Sequence, residues 1–158
     1  MAGRGEVTKA FLSAYLKGRT AFETSGDAAQ NPYPDHRTYL VISALTHWRS
    51  LLVPGGILRL AVPDFDSIVG HYVASGQDLH ALLGLLYGGQ DNMMDSHHIV
   101  FNQDLLHEYL KRVGFKTIRH WEWQETDHAE FDDFSQAYLP HLSKKDGRHM
   151  SLNLEGVK

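Results

Sequence analysis

The sequence predicts an α/β fold, a short mixed sheet with flanking helices, and three observations lead there. Val41, Ile42, Leu45, Trp48, Leu51 and Leu52 recur at three- and four-residue steps, the period of a helix with one broad buried face. Pro54-Gly55-Gly56 then turns the chain into residues 57–62, which read Ile-Leu-Arg-Leu-Ala-Val. At the far end, Met150, Leu152 and Leu154 alternate with Ser151, Asn153 and Glu155, the period of a strand.

Each element follows from local rules. Val7, Phe11, Leu12, Tyr15 and Leu16 share one helical stripe that Gly18 can end, and 19–34, with its Asn31-Pro32-Tyr33-Pro34, reads as a loop. Asp35 suits the N-cap of the helix before Pro54. Residues 57–62 are apolar at five of six positions, which suits a strand covered on both faces, as in a parallel sheet. Asp64 or Asp66 can cap a short helix through Tyr72, and a second short helix spans 79–87 before Gly88-Gly89. Residues 91–100, with Met93, Met94, His97 and His98, read as a loop.

Asn102 caps a further helix striped by Leu105, Leu106, Tyr109, Leu110 and Val113, and Gly114 ends it. Lys111 and Arg112 stand where they favour the helix dipole. Residues 115–123 read as a strand, with Trp121 and Trp123 on one side of it. Residues 124–146 are acidic and aromatic without a period. They hold too many apolar groups (Phe131, Phe134, Tyr138, Leu139, Pro140) for a free tail, and are expected to pack across the domain.

Composition narrows the function classes. The chain of 158 residues is long enough to bury roughly 70% of its unfolded surface without disulfide or metal staples. It contains no cysteine, so thiolate chemistry and disulfides are excluded. A net charge of −4 without a basic run argues against nucleic acid as a partner. The longest apolar runs, at 39–42 and 81–87, fall far short of the ~20 residues of a membrane span. The expected location is the cytoplasm, and no membrane partner is expected.

The ordered set Leu52-Val53-Pro54-Gly55-Gly56-Ile57-Leu58-Arg59-Leu60, then Pro63-Asp64, resembles the helix-to-fifth-strand junction of class I S-adenosylmethionine-dependent methyltransferases. Val53 stands where that family commonly has lysine. Gly114-Phe115 after a helix is similar to the entry to the family's sixth strand, and the closing alternation resembles its antiparallel seventh. The resemblance covers 35–158 and implies a partial Rossmann-like methyltransferase fold, the C-terminal half, with residues 1–34 as an N-terminal helix and loop.

It also implies S-adenosylmethionine as cofactor and methyl transfer to a small polar acceptor. The family's Gly-rich cofactor turn after a first strand, and its ribose-binding acid, find no match in Gly3, Gly5, Gly18 or Gly26, so the cofactor-binding residues are unassigned and that half reads as missing. The missing fourth strand would leave an open edge on 57–62. The expected partner there is a second copy or a companion protein, unless residues 1–34 fold back over it.

The resemblance places a lid over the methyl acceptor at Tyr87, Gly88, Gly89, Gln90 and Asp91, through His97 and His98; a plain helix cap and surface loop is the alternative. The family's connection between sixth and seventh strands often touches substrate, which puts Asp127 and Tyr138 with Tyr87, Gln90 and Asp91 as acceptor-binding candidates. Imidazole titrates near neutral pH, so His97 and His98 are candidates for a base, with Asp133 beside them as a catalytic candidate. Asp127, His128, Glu130, Asp132 and Asp133 also permit a metal-dependent hydrolase, although hard-metal loops show tighter spacing and a glycine. No serine-nucleophile or P-loop pattern occurs. A second class of reading is a non-catalytic structural or regulatory subunit derived from a methyltransferase.

Overall fold

The computed structural model describes residues 36–89, 96–141 and 143–158. The helix expected over Val7 to Leu16, the loop at 19–34, the Asp35 cap, Gln90, Asp91, Met93 and Met94 lie outside them. In chain order the described elements are α1 (His36–Leu51), β1 (Ile57–Pro63) and α2 (Phe65–Ala74). A 3₁₀ turn (His80–Leu82) runs into α3 (Leu83–Tyr87), and α4 (Gln103–Val113) precedes β2 (Thr117–His120). Two more 3₁₀ turns (Trp123–Glu125 and Phe134–Gln136) lead to β3 (Tyr138–Leu139), β4 (Arg148–His149) and β5 (Ser151–Val157).

The principal sheet has the order β1-β5-β2. β5 is antiparallel to both neighbours, so β1 and β2 run parallel to each other with the last strand inserted between them. The register pairs Leu60 and His120 with the same residue, Leu154. Asp64 N–H donates to Met150 O (2.9 Å) and Lys158 N–H to Gly56 O (3.0 Å), which turns the even-numbered backbone of β1 toward β5. The backbone of Ile57, Arg59 and Ala61 therefore faces the opposite edge. Near the end of that edge Phe101 makes a parallel bridge with Asp64, its carbonyl accepting from Phe65 N–H (2.9 Å).

This revises the expectation for 57–62. The run is a strand, but its sheet neighbour is antiparallel and its burial alternates. Leu58, Leu60 and Val62 are buried while Ile57, Arg59 and Ala61 are half-buried. One face is a full core; the other carries Arg59 and is polar.

The apolar face is closed by α1 and α4. Val41, Leu45, Trp48 and Leu52 meet Leu106, Tyr109 and Leu110 over Leu58, Leu60, Leu152 and Leu154. Each such leucine contributes roughly 1.5–3 kcal/mol on burial. Between the helices Thr38 Oγ1 and Tyr109 OH share a buried hydrogen bond (3.0 Å), and Phe101 packs edge-on to Tyr109. The ends of α4 are as the sequence suggests: Asn102 Oδ1 accepts from Leu105 N–H (3.0 Å), and Gly114 takes a left-handed φ of 99°. Arg49 from the last turn of α1 lies over Phe115 (5.9 Å to the ring centre), beside that glycine.

A smaller cluster, Ile68, Leu82 and Met150 with Tyr72, Leu85, Leu86 and Leu139, joins α2 and α3 to the start of β5. Asp64 is the N-cap of α2, its carboxylate accepting from Asp66 N–H (3.2 Å) and Ser67 Oγ–H (2.6 Å). The strand expected over 115–123 is shorter, because Phe115 turns into the core and Trp123 opens a 3₁₀ turn. The two indoles diverge: Trp121 Nε1 donates to Leu60 O (3.2 Å) and Trp123 Nε1 to Tyr138 OH (3.4 Å).

Gly156 gives a direct test of this packing, since a Cβ there stands 2.8 Å from two atoms of the Phe115 ring. Gly156→Ala is expected to lower stability by about 1–3 kcal/mol, read as a fall in the urea midpoint. An unchanged midpoint contradicts the packing described.

Candidate functional site on the polar face of the sheet

Alternation puts Ser151, Asn153 and Glu155 on the face of β5 away from α1 and α4, yet all three are buried. Buried polar groups cost free energy unless they find partners, and here the partners come from both flanking strands and from the 121–147 segment. The register sets Arg59 and Arg119 on either side of Glu155. Arg59 Nε–H donates to Glu155 Oε2 (2.9 Å) and Arg119 Nε–H to Oε1 (2.7 Å), so one carboxylate ties three strands together. The Arg59 guanidinium also lies over Trp121 (5.6 Å to the ring centre). The Glu155 side chain is 4% exposed and that of Arg119 60%, so the triad opens to solvent on the β2 side.

Further along β5 the partner is the turn at Phe134–Gln136. Asn153 Nδ2–H and the His149 ring both donate to Ser135 O (3.0 and 2.8 Å), and Ser151 Oγ–H donates to Asn153 Oδ1 (2.8 Å). Gln136 Nε2–H donates to Ala129 O and Phe131 O (3.2 and 2.9 Å), while its Oε1 accepts from Lys144 Nζ (2.5 Å). Lys144 also pairs with Asp132 (3.1 Å) and lies over Trp123. The aperiodic segment does pack across the domain, clipped to the sheet by its own polar side chains.

That assignment of bonds decides what the expected site residues do. Asp133 caps the turn, its Oδ1 accepting from Ser135 N–H (2.9 Å) and Ser135 Oγ–H (2.5 Å), with His128 Nε2 4.0 Å from Oδ2. Tyr138 stacks against His149 (4.9 Å between centres) and accepts from Trp123. Asp127 and His98 are exposed. His97 is held against α3: its N–H donates to Tyr87 O (3.0 Å) and its Nδ1–H to Leu85 O (2.9 Å). These bonds bring Tyr87 together with His97, and Asp133 together with His128, in two neighbourhoods.

Among the described residues no three His, Asp or Glu side chains gather into a group that could hold a metal ion. Asp132 turns to Lys144 and Asp133 to Ser135, so the acidic run at 127–133 disperses. The polar row of β5, with Arg59, Arg119, Ser135, Gln136 and His149, was not singled out from sequence. Its signal was an arginine inside an otherwise apolar strand, which requires a buried acceptor nearby.

Comparison of the chain with family models, with curated proteins and with solved structures finds no match. No helix among the described residues is long and apolar enough to cross a membrane.

Removing the central carboxylate tests the triad. Glu155→Gln is expected to cost about 3 kcal/mol, because the largely buried Arg59 guanidinium loses its counter-charge. Arg119→Ala, at an exposed position, is expected to cost less than about 1 kcal/mol. Equal urea midpoints for the two variants contradict the assignment.

Proposed function

We propose that this chain works as a methyltransferase-type α/β domain, its described residues forming the later part of the sheet, in methyl transfer from S-adenosylmethionine to a small polar acceptor. One observation carries the reading: the last strand, β5, runs antiparallel between two strands that are parallel to each other, β1 and β2, each entered from a helix. The resemblance of 35–158 asks for a final antiparallel strand after two helix-led strands. The junction it rests on also has a physical reason here. Gly55 has a φ of 78°, and a Cβ on Gly56 stands 2.9 Å from Val53 O. The turn hydrogen-bonds to Lys158 in both directions, joining α1, β1 and β5.

In open α/β sheets ligands lie beyond the carboxyl ends of the parallel strands. For β1 that is Asp64, whose carboxylate is engaged in capping α2. Among the described residues no strand is followed by a glycine turn that fits the cofactor: β1 leads into Asp64 and α2. The cofactor side of such a cleft has to be completed along the outward edge of β1, from residues outside the described set or from a second polypeptide. The bound cofactor supplies an electrophilic methyl group. This chain's part is to orient the acceptor and exclude water, which needs few obligatory side chains.

A second reading, a non-catalytic structural or regulatory subunit, is favoured by Asp133 and Tyr138 acting as struts within the 121–147 segment. Calorimetric titration with S-adenosylmethionine and its demethylated product separates the two. Micromolar binding by the full chain is expected where its own residues outside the described set complete the cleft; no heat with either ligand overturns cofactor binding by this chain. Ala61→Pro is the companion test. Its N–H faces away from β5, so proline there is expected to keep the fold while blocking a strand added to that edge, and with it the binding. Unchanged affinity in this variant overturns completion along β1.

A further inference from the structure

We draw no further inference here: the strongest candidate, the largely buried His128–Asp133 side-chain pair beside Trp121 in the 121–147 segment, carries nothing, because its atoms stand 4.0 Å apart, Asp133 already caps the Phe134–Gln136 turn, and nothing among the described residues shows what the pair would act on.

Discussion

The Glu155 carboxylate, held by one arginine from each neighbouring strand, is the interaction through which the sheet becomes a single unit. β5 is the strand shared by both ladders, and it is buried on both faces. Its even-numbered residues meet the helices; its odd-numbered residues form a polar row that no apolar layer can cover at acceptable cost. Two consequences follow. β1 and β2 must each bring a cation to one register position, and the 121–147 segment must bring carbonyls and amides to the rest. A buried ion pair of this kind is weak evidence for net stability, since desolvation offsets most of the attraction. What it fixes is register. A shift of either flanking strand by one residue would turn its arginine into the leucine core and leave Glu155 facing an apolar side chain.

That constraint explains why a segment without periodicity is nonetheless ordered. Residues 121–147 form almost no regular structure beyond two 3₁₀ turns and one end of a two-residue ladder. Their order comes from side chains satisfying one another: Gln136 closes onto Ala129 and Phe131, Lys144 closes onto Gln136 and Asp132, and Ser135 offers its carbonyl to both His149 and Asn153. Such a network is cooperative, because each buried group left alone is costly. It also consumes functional groups. Asp133 and Tyr138, candidates in the sequence reading, are held in this network by Ser135 and Trp123.

The elements legible in the sequence were those whose signals are local. Asn102 and Gly114 bound α4 because a cap and a left-handed residue need nothing beyond their own turn, and Asp64 caps α2 for the same reason. The alternation of 150–155 announced a strand but not that both of its faces are buried; that depends on Arg59 and Arg119, 96 and 36 positions away in the chain. Residues 57–62 were read as covered on both faces because five of six are apolar. The exception, Arg59, was the informative residue. For the acidic run at 127–133, proximity along the chain says nothing of direction, and the chain sends Asp132 to Lys144 and Asp133 to Ser135.

The outward edge of β1, where a partner is proposed, differs in its physics from a surface built of side chains. At the outward edge of β1 the recognition elements are backbone groups, which fix the direction and spacing of an added strand and are largely indifferent to its side chains. Phe101 pairs there in the parallel sense, at Asp64, so the strand proposed for that edge would lie along the preceding residues of β1.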